Sequence, residues 1–467
     1  MSEQFLHGIE VVEVDDGIRS VSTATSSVIG LVGTAPKGPV NIPTLIAGSP
    51  KEAATQFGEG LGTIPDALDA IFDQIGATVV VINVLDPAVH KAAVAPKDYT
   101  LVADQITLDH QYVSNCVVKD STGVTTYVVG TDYTLDAEAG TVTRISTGAI
   151  EAGATLKINY DRPDPTAVTS ADVVGGADAD TGAYTGVHAL LAAEGAVHVT
   201  PRILIAPGFT HDRTGEQANA VVSELLGIAD RLRAVIIADG PNTNDADAIT
   251  YREDWGSARV YVVDPWVTVL DTDTNVNVAM PPSARVAGIL AKSDNERGFW
   301  WSPSNREVYG IVGTARPVDF ALGDPNCRAN YLNENEVATI IRKDGYRLWG
   351  NRTCASDQKW AFLSVRRTAD MIHESLLQAH LWAVDRNITK TYIEEVTEGV
   401  NAYLRHLVAL GAILGGKCYA DPDLNTPDQI MAGKVYFDFD FTPPYPAEHI
   451  TFRSHLVDDY IEELFSD

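Results

Sequence analysis

The sequence predicts an α/β protein with an all-β unit inserted in its first half. Three observations predict it. Short, wholly apolar runs alternate with amphipathic helical stretches over residues 21–88 and again over 178–344, the pattern of a largely parallel sheet covered on both faces. Over residues 89–177 helical periodicity vanishes, and Thr/Val/Tyr segments recur between turns at ~8–12-residue spacing, as in a small sandwich or barrel. Over residues 345–455 the helices lengthen and strand patterns follow them, which suits an α+β C-terminal unit.

Residues 1–20 read as an arm. Ile9, Val11, Val12 and Val14 interleave with Glu10 and Glu13 before Asp15, Asp16 and Gly17 break the run. That segment is either an edge strand of the chain's own sheet or a strand donated to a neighbouring subunit. Ser27–Gly33 and Thr78–Val84 are apolar enough for buried strands. Between them, Ser49 followed by Pro50 opens a helix. Leu68, Ile71, Phe72 and Ile75 then share one face of a second helix.

In the insertion, Tyr127–Val129, Tyr133–Leu135, Thr141–Ile145 and Thr155–Tyr160 are the strand candidates. Asp161–Pro165 opens its exit linker. Beyond it, His188–Ala193 and Gly215–Leu232 read as helices. Arg202–Ala206, Ala234–Ala238 and Arg259–Asp264 read as buried strands, and a further helix starts near Pro281. Two long amphipathic helices are predicted over Gln358–Trp382 and Lys390–Leu410. Lys434–Phe441 alternates aromatic and acidic residues as a half-buried strand, with His449–Arg453 predicted to pair back on it. The tail over 456–467 spaces Tyr460, Leu464 and Phe465 for docking.

Composition excludes several function classes. A net charge of −29 argues against nucleic acid as a partner, since phosphate repels such a surface. No apolar run approaches the ~18 residues of a membrane span. The N-terminus lacks the basic and apolar regions of a signal peptide, so a cytosolic site of synthesis is expected. Cys116, Cys327, Cys354 and Cys418 form no CxxC pair and are expected as free thiols. Charge is uneven: residues 342–417 hold 11 Lys/Arg against 8 Asp/Glu. That excess is either a solvated helix face or a docking surface for an acidic partner.

Catalytic patterns fail on inspection. Gly411–Cys418 fits G-x4-G-K but places Cys where a P-loop needs a hydroxyl for magnesium, and it follows a helix rather than opening one. Asp239, His211 and His188 are the partners a serine hydrolase would use. No GxSxG is present, and the nearest glycine turn, Gly313-Thr314-Ala315, has no nucleophile. The fragments Asp271–Asp273 and Asn242–Asp245 lack the spacing of calcium loops. No catalytic, cofactor or metal residue is therefore assigned.

An ordered set of segments carries a resemblance: Ser27–Pro39, Ala229–Pro241, Pro281–Asn305, Asn330–Asn335, Gly345–Thr353, Val365–Asp370 and Phe437–Ile450. Together they resemble the contractile tail sheath proteins of phages and R-type pyocins over nearly the whole chain except the β insertion. The resemblance implies a structural protein with a subtilisin-like core that lacks working protease machinery. It implies arms, at residues 1–20 and 456–467, that add strands to a sheet in a neighbour's C-terminal domain and link stacked hexameric rings. It further implies an outward-facing insertion and an inner C-terminal domain that grips a tail tube. Arg366, Arg367, Lys390 and Arg405 are the candidate tube contacts. Expected partners are further copies, the tail tube protein, and baseplate and tail terminator proteins, with no cofactor, no direct nucleic-acid contact and no membrane insertion. The expected location is the virion tail, assembled in the host cytoplasm. A degenerate serine hydrolase and a static shell or surface-layer protein are the alternatives.

Overall fold

The computed structural model describes residues 21–458, apart from 273, and residue 460. The predicted strands Ile9–Val14 and the tail residues Leu464 and Phe465 lie outside the described residues. The centre is an eight-stranded mixed sheet. Its order is Tyr346–Trp349, Val337–Arg342, Val260–Val263, Val235–Asp239, Ile203–Ile205, Ile29–Gly33, Thr78–Asn83, Thr44–Ala47. The six inner strands run parallel; the two outer ones pair antiparallel.

Alternation along these strands splits the core into two layers. Ile29, Leu31, Val79, Val81, Ile203, Ile205, Ile237 and Tyr261 pack against helices Thr63–Phe72 and Ser283–Arg297. Val32, Ile82, Leu204, Ile236, Val260 and Val262 pack against helix Ala220–Leu232 and Tyr251. Local chemistry starts the helices near where the sequence places them. Ser49 accepts from the Glu52 amide, and Asn219 accepts from the Val222 amide. The second cap delays the Gly215–Leu232 helix to Ala220.

The insertion has its own core. Lys91–Thr100, Thr155–Pro163 and Ser114–Asp120 form one antiparallel sheet; Gln105–Thr107, Thr141–Arg144 and Tyr133–Asp136 form another. Val118, Val142, Leu156, Ile158 and Tyr160 fill the space between them. Tyr127–Val129 is not a strand: it makes a single isolated bridge, from Val129 to Tyr133, with Val128 and Val129 exposed. Sequence pattern missed Lys91–Thr100, whose register shifts between Val94 and Lys97 around Pro96. Proline is tolerated at such a bulge on an edge strand.

The C-terminal region departs most from expectation. The predicted Gln358–Trp382 helix breaks into a 3-10 turn at Gln358–Trp360, a helix over Leu363–Ala379 and a second turn at Leu381–Ala383. Extended backbone at Phe362 interrupts it. Helix Lys390–Leu410 ends at Gly411, whose φ of 75° closes the last turn. The chain then forms a strand, Gly415–Ala420, which pairs antiparallel with Phe437–Thr442. His449–Arg453 forms no strand, correcting the predicted hairpin. Gly416 explains the preference for the earlier partner: a Cβ there would stand 2.7 Å from the Asp440 carbonyl oxygen, so only glycine permits this close pairing. Phe437, Phe439 and Phe441 rest against Val400, Tyr403, Leu404 and Leu407.

The separate core of the insertion makes a prediction. Ile158→Ala should cost about 2–5 kcal/mol within it. Hydrogen exchange should rise over 91–163 while the parallel strands keep their protection.

Candidate functional site

The helix Leu363–Ala379 is amphipathic, but its buried side is ionic as well as apolar. Arg367 donates from Nη1 to Asp294 Oδ1 at 2.6 Å and from Nη2 to Oδ2 at 2.5 Å. Both side chains are nearly inaccessible, at 3% and 2% exposure. Arg259 donates to both oxygens of Asp370, at 2.8 and 3.2 Å, and Arg366 reaches the same carboxylate from one helical turn before it. Arg202 and Arg233 close on Glu374 at 2.8 and 3.2 Å. Two-pronged guanidinium–carboxylate contacts fix orientation as well as distance.

This geometry revises the tube-contact candidates. Arg367 is removed from them: it lies inside the protein, with both guanidinium nitrogens on Asp294 committed. Arg366 is largely covered, paired with Asp370 and stacked 4.4 Å from the Trp360 ring. Lys390 and Arg405 stand outward on the next helix, 90% and 62% exposed, with Glu394 and Glu398 as neighbours. Within residues 342–417 the buried Arg367 is matched in charge by the buried Asp370, so the basic excess stays on the surface, at Lys390 and Arg405 among others. Aromatic residues of the same region are packed inward: Tyr346 lies against the sheet core beside the buried Leu348, and Trp349 meets Phe320 edge-on at 4.9 Å.

Beyond Thr442 the chain has neither helix nor strand up to residue 457, and it is exposed from residue 447 on. Tyr445 lies against Phe362 at 6.0 Å, and Arg352 holds Glu448 through Nε and Nη2 at 2.6–3.0 Å. Past that tether Ile450, Phe452 and Leu456 project from the surface, and Tyr460 is exposed too. Among the described residues, Phe437–Thr442 pairs only with Gly415–Ala420. The other strand's centre is occupied: Asn401 accepts from the Cys418 amide at 2.8 Å and donates to its carbonyl at 3.0 Å.

The residues a hydrolase would use are dispersed into structural roles. Asp239 is fully buried at the end of its strand and accepts from the Ser283 amide and hydroxyl, each at 2.8 Å, and from Thr210 at 3.2 Å. His211 pairs with Asp212 at 3.0 Å and lies edge-on to Trp266; His188 pairs with Glu224 at 2.8 Å. The four cysteines are free. Among the described residues no cluster of three metal-binding side chains occurs, and no helix is long and apolar enough to cross a membrane.

Comparison with known proteins decides the family. Residues 182–354 match the phage tail sheath protein central domain, 355–456 the phage tail sheath C-terminal domain, and 26–84 the N-terminal region of domain III of the tail sheath protein Gp18. A family described only as a protein of unknown function matches 86–172. The chain is 40% identical to the tail sheath protein of Burkholderia phage BcepMu, over 99% of both chains. It is 38% identical to a putative prophage major tail sheath protein of Pseudomonas aeruginosa, over 98% of both. The chain belongs to the tail sheath protein family. The tail sheath protein of Escherichia phage P2 is 31% identical over 98% of this chain and 97% of its own. The fold also matches the anti-feeding prophage helical sheath in its contracted state, with a TM-score of 0.60 at 20% identity over 98% of this chain and 100% of that one. The sheath of an extracellular contractile injection system matches at a TM-score of 0.59 and 15% identity, over 99% and 100%. The protein is a structural subunit of a contractile sheath, a tail component and not an enzyme.

Asp239 gives a pH test of its structural role. Burial, opposed by its hydrogen bonds to Ser283 and Thr210, pushes its carboxyl from 3.8 up to about 7. The folded protein therefore holds a proton that the unfolded chain releases. Stability from this group is full below about pH 4 and is lost as pH rises through 7. Asp239→Asn should flatten that slope: between pH 5 and 8 the thermal midpoint of the wild type should fall relative to the variant.

Proposed function

We propose that the subunits stack as hexameric rings around a tail tube, joined by strands that leave one chain and complete the C-terminal sheet of another. The observation that carries this is a sheet edge left open, and an exposed segment without helix or strand left unpaired, among the described residues. Phe437–Thr442 offers a free ladder, while Ile450, Phe452 and Leu456 alternate along exposed chain. An added strand gains main-chain hydrogen bonds, and its alternate side chains set register. Asn401 already occupies the other edge, so the incoming strand is assigned to Phe437–Thr442. The C-terminal arm then begins near residue 449 rather than 456, with Tyr460, Leu464 and Phe465 extending it. Ile9, Val11, Val12 and Val14 form the N-terminal counterpart.

The remaining assignments follow the same reading. The parallel sheet is a subtilisin-like core spanning 21–88 and 178–344. The insertion of 89–177 faces outward, and the region 345–455 faces the tube. Lys390 and Arg405, the exposed cations of the last long helix, are the tube contacts. Baseplate and terminator proteins close the two ends, and assembly takes place in the host cytoplasm before the sheath becomes part of the virion. Contraction then moves stiff subunits from a metastable packing to a more stable one, so no cofactor supplies the energy.

Deleting 1–20, or separately 449–467, should leave a cooperatively folding chain that no longer forms sheaths in electron micrographs. Long sheaths from both truncations would overturn the strand exchange. Lys390→Glu with Arg405→Glu should leave tube-free sheaths intact and reduce the fraction assembled on tubes severalfold. Unchanged tube occupancy would remove these residues from the contact.

A further inference from the structure

We infer that Arg367 and Asp294 anchor the root of the N-terminal arm, so that tension in the arm passes into the subunit's interior. This rests on the proposed role of residues 1–20 as a link to a neighbour. The described chain enters as a strap, residues 21–28, without helix or strand, and continues directly into Ile29–Gly33. That strand is an inner strand of the central sheet, flanked by parallel partners on both sides.

The strap is fastened at successive points to two buried helices. Val21 packs against the apolar cluster of Phe299, Met371 and Tyr403. The Ala24 amide donates to Ser375 Oγ at 2.9 Å, and Ser375 is fully buried. The Ser26 hydroxyl donates to Asp294 Oδ2 at 2.7 Å, and Arg367 Nη2 donates to the Ser26 carbonyl at 3.0 Å. Asp294, Arg367 and Ser26 thus form one closed network drawn from three distant parts of the sequence.

The mechanical logic is that of peeling against shear. A pull along Ile29–Gly33 loads its two hydrogen-bond ladders together. A pull on the strap peels its few contacts one at a time, outermost first. The strap is therefore the weak point of any load path through the arm, and it carries the buried charged clamp. The guanidinium grips the main chain at Ser26, so this bond does not depend on the Ser26 rotamer. Survival under such a load is set by an unfolding rate rather than by equilibrium stability.

The test uses the full chain. Arg367→Met with Asp294→Leu removes both charges together, which avoids stranding one of them. Ser26→Ala removes only the strap's hydroxyl bond to Asp294, whereas Ser375→Ala removes the Ala24 bond together with the serine's own bond to the Met371 carbonyl. The expected result is a cooperative unfolding transition, normal extended sheaths, at least tenfold faster hydrogen exchange at the Ala24 amide, and contracted sheaths that break into shorter pieces. Wild-type exchange at Ala24, or contracted sheaths of wild-type length, would overturn the inference. If the double variant does not fold, Ser26→Ala, which takes the strap's hydroxyl off Asp294, decides by the same readouts. If deleting 1–20 leaves assembly intact, the arm reading itself fails. If deletion abolishes assembly while the clamp variants match the wild type, only the clamp is wrong.

Discussion

Charge buried beneath one helix determines how the two ends of this protein are joined. Leu363–Ala379 meets the central body through Arg367–Asp294, Arg259–Asp370 and Arg202–Glu374, all largely removed from water. Such pairs do not add net stability over a well-packed apolar contact, but removing one partner costs on the order of 3–5 kcal/mol. Their effect is positional. An apolar helix face can slide along its neighbour by a turn at modest cost; a forked guanidinium–carboxylate contact has one register. Met371, Ile372 and Leu376 on the same helix then carry the Lys390–Leu410 helix and the aromatic strand Phe437–Thr442. A fixed register at Arg367 is therefore transmitted to the sheet edge.

The proposed contraction has subunits change neighbours without changing shape. The eight-stranded sheet, covered on both faces, supplies the stiffness, since a close-packed interior resists deformation. The small C-terminal sheet is the opposite case. Two strands alone are marginal in water, and here a long helix supports them from one side. The pair keeps its geometry while leaving an edge unfilled. Such an edge exposes unpaired main-chain groups that favour pairing with another chain, the property on which the proposed strand exchange rests.

The sequence made the parallel sheet legible because its strands are uniformly apolar, and the central helices because their caps are local. It was silent where the pattern depends on a distant partner. Val267–Asp271 and Val276–Met280 pair as a hairpin beside the core, and their half-exposed alternation resembles a loop in one dimension. Gly415–Ala420 reads as the end of a helix because it begins with glycines. Arg366 and Arg367 read as a basic surface because a charge count cannot register that Asp294 lies 73 residues upstream and that Asp370 is shared with Arg259. The exposed candidates Lys390 and Arg405 carry no sequence signal that separates them from the two buried arginines. Only the three-dimensional arrangement separates them.

The tail after Thr442 shows what a strand pattern does and does not specify. Alternation at Ile450 and Phe452 indicates extended chain with one apolar face, and nothing in it says which sheet receives that face. Within this molecule the edge at Phe437–Thr442 lies close in sequence, yet residues 443–458 do not pair with it. Pro443, Pro444 and Pro446 follow at once, and such residues hold the backbone extended and donate no amide to a ladder. Arg352 then fixes Glu448 against the central body. A tight return would have to break that forked contact and bend a proline-rich segment. Among the described residues, the segment and the edge thus stay apart within one chain, the arrangement that the proposed strand exchange requires.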